Sequence, residues 1–263
     1  MKGELPSHIF FTRLLLNPVS RQVMSEQSYP YEMHRTIMRG FPKQKPGSTI
    51  GAREEYGVLF RCETDHGAGV VRVYVQSLVE PDWSFLESID NYLDTSSNGF
   101  KSIEFKDVMP VYKKIRRGQL LSFRLRANPT RRVADNHDPL WGKRVELYRE
   151  NDQLEWLVRK SMGNGGETSG FEIPCDETEI DERGSSHLKF VRARNEGKVK
   201  CTKKDTYGKE TTHVVTQNAV TFEGILRVTD LDSFIRTLIR GIGPGKAFGF
   251  GLLSIAPVGV FDS

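Results

Sequence analysis

Strand-length and helix-length apolar segments follow one another in the same order twice along these 263 residues, and few architectures accommodate such a pattern. In the first half Ile9 to Leu16 has the length of a strand, and a helix-like segment runs from Tyr31 to Gly40. Strand candidates Tyr56 to Glu63 and Val70 to Leu78 follow, with the turn signal His66 to Gly69 between them. Ser84-x-x-Glu87 has the form of a capping box and predicts a helix burying Phe85, Leu86, Ile89, Tyr92 and Leu93. A strand at Lys101 to Val108 closes the unit. In the second half Leu120 to Ala127 is a predicted strand, and Asp152 to Met162 a helix with Leu154, Leu157, Val158 and Met162 on one face, stopped by Gly163. Strands lie within Phe171 to Val191 and at Val214 to Val228. A helix from Leu231 to Arg240 places Leu231, Phe234, Ile235, Leu238 and Ile239 on one face, and the strand Leu252 to Pro257 ends the series.

Each half therefore reads β-α-β-β-α-β. The expected class is α+β, with tandem ferredoxin-like (RNA-recognition-motif-like) domains built on antiparallel sheets. The expected division is 1–109, a linker at 110–118 carrying Lys113, Lys114, Arg116 and Arg117, and 119–263. Pro42 to Glu55 and Met162 to Gly170 are aperiodic, polar and glycine-containing; they read as connectors without chemistry. With 37% hydrophobic residues and mean hydropathy −0.46, the chain reads as a soluble globular protein. No apolar run approaches the roughly twenty residues that span a bilayer, and Met1 to Pro6 lacks the apolar core of a secretory signal, so a cytoplasmic protein is expected. Cys62, Cys175 and Cys201 are odd in number and far apart, which suggests neither a disulfide framework nor a structural zinc site.

The net charge of +4 says little, but its distribution says more. Asp176 to Glu182 is acidic, whereas Lys189 to Lys204 holds seven basic residues and one acid, Glu196. Patches of positive charge suit nucleic acid. A second feature points the same way: Gly241 to Gly251 contains five glycines and Lys246, a backbone that a ligand can approach closely beside a positive charge. A Walker loop is ruled out because Arg240 and Ala247 occupy its first and last positions, and Lys246 stands where a dinucleotide fingerprint needs its third glycine. A phosphate-rich polymer is the remaining partner.

The six histidines show no metal-ligand spacing. His34 alone has a suggestive setting. On a helical wheel Met33, Ile37 and Phe41 form an apolar arc, Tyr31, Arg35 and Arg39 a second arc, and His34 lies at the border. A phenol, an imidazole and two guanidiniums on one face suit acid–base chemistry on a phosphodiester. Imidazole can take or give the proton near neutral pH, and arginine stabilises charge without titrating. No metal or cofactor is needed for this.

The segments Leu16 to Pro18, Pro30 to Thr36, Val75 to Ser84, Phe123 to Pro129 and Thr221 to Gly224, together with the glycine-rich segment through Pro257, resemble the CasE-type (Cse3) CRISPR-associated endoribonucleases of subtype I-E systems. The resemblance implies a metal-independent RNase that cuts a repeat hairpin at its base by 2′-hydroxyl attack, leaves a 2′,3′-cyclic phosphate, and stays on its product as a subunit of Cascade. It implies that His34 is the catalytic histidine, Tyr31 its partner, and Arg39 the basic residue one turn on. The expected partners are repeat RNA and other Cascade subunits, with no membrane. Whether His34 removes the first proton or donates the last stays open.

The RNA surface follows from the same residues. Arg124 and Arg126 share one face of a strand, and Arg131 and Arg132 extend it. Phe190 to Cys201 reads as a hairpin turning at Asn195 to Gly197, with Arg192, Arg194, Lys198 and Lys200 on its arms. The resemblance implies that such a hairpin grips an RNA stem, through shape and phosphates. It implies further that Gly243, Gly245, Lys246 and Arg35 meet RNA. The alternative to an enzyme is a catalytically inactive RNA-binding subunit of the same complex, against which the intact Tyr31, His34 and Arg35 set argues.

Overall fold

The computed structural model describes residues 4–44, 47–65, 67–95, 101–163, 167–174, 178–180, 186–188, 190–204 and 212–258. Two compact units emerge. One comprises Met1–Lys113, Lys200–Thr216 and Gly245–Leu252; the other Lys114–Val199, Gln217–Pro244 and Leu253–Ser263. A single cut at 110–118 does not describe this division, because 200–216 and 245–252 return to the first unit.

The first unit contains β1 (Phe10–Leu16), α1 (Arg21–Ser28), α2 (Pro30–Met38), the one-turn α3 (Ala52–Glu55), β2 (Leu59–Asp65), β3 (Val70–Ser77), β4 (Ile103–Asp107) and α4 (Met109–Tyr112). Its sheet is antiparallel in the order β2-β3-β1-β4. Leu14, Leu16, Phe60, Val71, Val73 and Val75 from the sheet form one core with Val23, Met33 and Ile37 from the helices. The helix expected after Ser84 is instead a 3-10 turn, Ser84–Ser88. Asp82 Oδ1, not a Ser84 cap, takes the Ser84 N–H at 2.9 Å. Asn91 adopts φ 53° and Leu93 bridges to Leu16, which ends any helix after one turn. Leu86 and Tyr92 are still buried, so the apolar pattern marked burial correctly while a turn supplied it. So short a segment gains little against the cost of a helix nucleus.

The second unit contains β5 (Leu120–Ala127), β6 (Thr130–Arg132), β7 (Arg144–Glu146), α5 (Glu150–Met162), β8 (Phe171–Glu172), β9 (Thr178–Ile180), β10 (Ser186–Leu188), α6 (Leu231–Arg240), β13 (Leu253–Pro257) and the larger parts of β11 (Val191–Lys204) and β12 (Thr212–Val228), whose far ends belong to the first unit. The main sheet runs β11-β12-β5-β13, with β8 on β12. Taking β5, β11, β12 and β13 as first to fourth strands, the order second-third-first-fourth is that of the first unit, and both are ferredoxin-like. Phe123 and Leu125 are fully buried on one face of β5. α6 begins at Asp230, whose carboxylate accepts the Ser233 N–H at 2.9 Å, and buries Phe234, Ile235 and Leu238 as its period requires.

Two expectations need correcting here. α5 buries Gln153, Leu154, Trp156 and Leu157, while Met162 is 72% exposed. Trp156 stacks on Phe222 with centroids 5.8 Å apart, and Gln153 donates to the Leu147 carbonyl, so these two turn the helix away from the face centred on Val158. Asn195 to Gly197 is not a hairpin turn, because β11 passes straight through it. Asn195 Oδ1 does accept the Gly197 N–H at 2.9 Å, and Gly197 has φ 89°, but the glycine serves as a kink within a paired strand. The connection from β11 to β12 falls at 205–211, outside the described residues. Among the described residues no helix is long and apolar enough to cross a membrane.

Candidate active site

α2 starts with Pro30 in its first turn, where a missing N–H costs nothing, and buries Met33, Thr36 and Ile37. This leaves Tyr31, His34, Arg35 and Arg39 lining an open groove of about 1040 Å³, with Lys43 and Phe85. The predicted face is therefore present. Arg35 is exposed and pairs with Glu32 at 2.9 Å. Arg39 lays its guanidinium over the Phe85 ring, 4.4 Å from the centroid.

A buried carboxylate fixes the helix from behind. Glu26 on α1 is 3% exposed and accepts hydrogen bonds from Thr36 Oγ1 at 2.6 Å, the Tyr92 hydroxyl at 2.6 Å and Gln22 Nε2 at 2.8 Å. Burial first, then the Glu26 charge, pushes the Tyr92 phenol far above its ordinary range. Thr36 is one helical step from Arg35 and two from His34, so this network sets the rotation of the reactive face.

Tyr31 and His34 also line a second pocket of about 470 Å³, closed by Arg53, Gly245, Lys246, Ala247 and Phe248. Rings run in series along it. Phe248 lies 5.9 Å from Tyr31, Tyr31 lies 5.6 Å from His34, and His34 stacks on Phe60 at 6.2 Å and 14°. Close approach explains the glycines. Gly249 has φ 77°, and a Cβ there would stand 3.1 Å from the Phe60 ring. Gly245 is left-handed at φ 81° and starts the 3-10 turn Lys246–Phe248. Phe250 is fully buried, so it packs, while Phe248 remains at the pocket.

The imidazole is set up for one protonation state. His34 Nδ1 is buried with no hydrogen-bond partner, which leaves Nε2 to meet a ligand. Burial above all, and then the nearby positive charge of Arg53, lower its pKa to about 4. At neutral pH the ring is uncharged, and with its hydrogen on Nδ1 it accepts a proton at Nε2. Arg53 was invisible to sequence reasoning, because it lies in the aperiodic stretch assigned no chemistry. Its position in the pocket comes from α3 and the Gly245 segment folding to the same place.

The expected RNA-binding residues divide into two groups. Arg124 Nε meets Glu223 at 2.5 Å, and Arg126 Nε meets Glu196 at 2.7 Å, where Thr221 also donates at 2.6 Å. Both arginines share a face as predicted, but carboxylates on β12 and, one strand further, on β11 hold their charge. Arg131 and Arg132 on β6 are exposed, as are Arg192, Arg194, Lys198 and Lys200 on β11. Arg194 approaches Glu196 at 3.7 Å, and Lys198 lies 5.9 Å from the centre of the Tyr148 ring. Gly243 has φ 81°, and a Cβ there would stand 3.1 Å from the Trp156 ring, so packing already requires this glycine. Among the described residues no three His, Cys, Asp or Glu side chains are grouped to hold a metal ion.

Comparison with known proteins agrees over nearly the whole chain. A family model described as CRISPR associated protein matches residues 9–257. The CRISPR-associated endoribonuclease Cse3 of Thermus thermophilus is 34% identical over 249 residues, covering 95% of this chain and all of that protein. The Cascade subunit CasE of Escherichia coli is 32% identical over 234 residues, covering 87% of this chain and 92% of that protein. The solved structure of a CRISPR endoribonuclease Cse3 bound to a 19-nucleotide RNA superposes with a TM-score of 0.68 at 32% identity, covering 95% of this chain and 100% of that one. Matches of this extent, over both ferredoxin-like units, mean that the chain belongs to the CRISPR-associated protein family, in the branch that holds Cse3 and CasE.

Proposed function

We infer that this chain is an endoribonuclease that binds the repeat hairpin of precursor CRISPR RNA, cuts it at its base, and keeps the product as a subunit of a cytoplasmic Cascade complex. The names and the RNA-bound structure of its relatives support the substrate class. The observation that carries the chemistry is an uncharged, largely buried imidazole sharing one pocket with a phenol and two cationic side chains. His34 Nε2 accepts the proton of the 2′-hydroxyl, the 2′-oxygen attacks phosphorus, and the bond to the 5′-oxygen breaks. The products are a 2′,3′-cyclic phosphate and, once that oxygen gains a proton, a 5′-hydroxyl. Tyr31, against the imidazole, orients it. Lys246, Arg39 and Arg35 meet the phosphates on either side, and the exposed Arg131, Arg132, Arg192, Arg194, Lys198 and Lys200 hold the stem. Arg124, Arg126, Gly243 and Gly245 complete that surface. The two arginines reach RNA only by exchanging their carboxylate partners.

A positioned general base contributes about 10²- to 10⁴-fold. The test uses the repeat hairpin in chelator beside a copy with one 2′-deoxy nucleotide 5′ of the scissile phosphate. Cleavage of the natural RNA alone, lost in His34→Ala with binding kept, is the expected result. Equal cleavage by His34→Ala removes His34 from the reaction, and binding without cleavage by the native protein leaves an inactive RNA-binding subunit.

A further inference from the structure

We propose that Arg53 is a catalytic cation of this site, its guanidinium facing the scissile phosphate and stabilising the negative charge that builds there as the 2′-oxygen attacks. This rests on the endoribonuclease reading and replaces Arg39, one turn along α2, in that role.

Position is the first argument. Arg53 lines the pocket with His34, Tyr31 and Lys246, whereas Arg39 lines the neighbouring groove and covers Phe85 with its charged end. Its charge is also less quenched than that of the strand arginines. Arg124 and Arg126 each have a carboxylate at 2.5 and 2.7 Å. Among the described residues the nearest carboxylate to Arg53 is that of Glu54, at 4.0 Å, on a side chain 69% exposed to water. The Arg53 side chain itself is only 24% exposed, and its hydrogen bond from Nη1 to the Val58 carbonyl is 3.3 Å long. A guanidinium with five donors, mostly withdrawn from water and with no carboxylate closer than 4.0 Å among the described residues, is poised for an anion to arrive. A phosphate flanked by Nε2 of His34 would be that anion, and a guanidinium can hold two of its oxygens at once. Arg53 is also coupled to the base. The charged or titratable groups that line the same cavities as His34 are Tyr31, Glu32, Arg35, Arg39, Lys43 and the buried Glu26 in the groove, and Arg53 and Lys246 in the pocket. Of these, Arg53 is the one whose charge lowers the proton affinity of the imidazole. It thus adds to burial, the larger cause, in keeping His34 unprotonated, and then meets the charge that His34 helps to create.

Loss of one preorganised cation of this kind costs about 10²- to 10³-fold in rate. The experiment is single-turnover cleavage of the repeat hairpin by the full chain and by Arg53→Ala, Arg53→Lys, Arg39→Ala and His34→Ala, across pH. Affinity for the 2′-deoxy hairpin and melting temperature are measured alongside. Arg53→Ala is expected to be slower by about 10²-fold or more, with deoxy-RNA affinity nearly unchanged. Its acid limb should shift to higher pH as His34 regains proton affinity. Arg53→Lys should recover part of the rate, and Arg39→Ala should lose less than Arg53→Ala. The proposal is overturned by Arg53→Ala cutting at the native rate while His34→Ala is dead, and the endoribonuclease reading then survives. It is also overturned by a rate loss that only follows the melting temperature, with no shift of the acid limb and no rescue by lysine. Native cleavage by His34→Ala would instead sink the underlying reading.

Discussion

His34 enters the folded state at a cost that depends on pH. Its folded pKa of about 4 lies below the ordinary 6.5, so between those values the unfolded chain takes up a proton that the folded chain refuses. Stability from this group is complete above pH 6.5 and falls as pH drops through that window, by about 3 kcal/mol in all. Urea unfolding at neutral pH and near the lower pKa should therefore show a smaller acid loss for His34→Asn than for the native chain; equal losses would mean the ring is not withdrawn from water. Gly249→Ala is a second expectation at this scale. The left-handed φ and the nearby Phe60 ring should together cost about 1–3 kcal/mol and slow cleavage by shifting the Gly245 segment. Tyr31 and His34 were legible because helical spacing alone makes them neighbours. Arg53 was not, since nothing within its own segment records what folds against it.

The link between α1 and α2 through Glu26 is the element-scale counterpart. Glu26→Ala would leave the Thr36 and Tyr92 hydroxyls buried without their acceptor, at about 2–4 kcal/mol. Its melting temperature should fall well below that of the double variant Glu26→Leu with Thr36→Val; an equal fall would deny the network this role. Tyr92 adds an alkaline limit. Its phenol pKa is raised, so the stability it contributes is present below its ordinary value of 10.0 and lost as pH climbs above it. On the two-stranded ribbon β6–β7, Arg132 stands directly opposite Arg144, and both are exposed. Like charges in that register repel, so Arg144→Glu should stabilise the ribbon by about 0.5 kcal/mol. It should also weaken RNA binding and lower the salt slope by about one phosphate contact. A gain in RNA affinity would contradict this. Strands such as β5 and helices such as α6 were readable because their period is complete within one segment. The Asn195 to Gly197 signal misled because a bulge and a turn use the same residues, and only the partner strand decides between them.

At the scale of the molecule, one strand order serves both units, and that order was recoverable from the succession of apolar segments. The return of 200–216 and 245–252 to the first unit was not, because no local pattern records a chain crossing back. The pocket around His34 needs side chains from α2, from α3 and from a segment some two hundred residues later. During synthesis, a chain that has emerged only as far as the histidine helix holds one wall of this pocket and not the other. Gly245 to Leu252 must leave the exit tunnel before the pocket has its second wall.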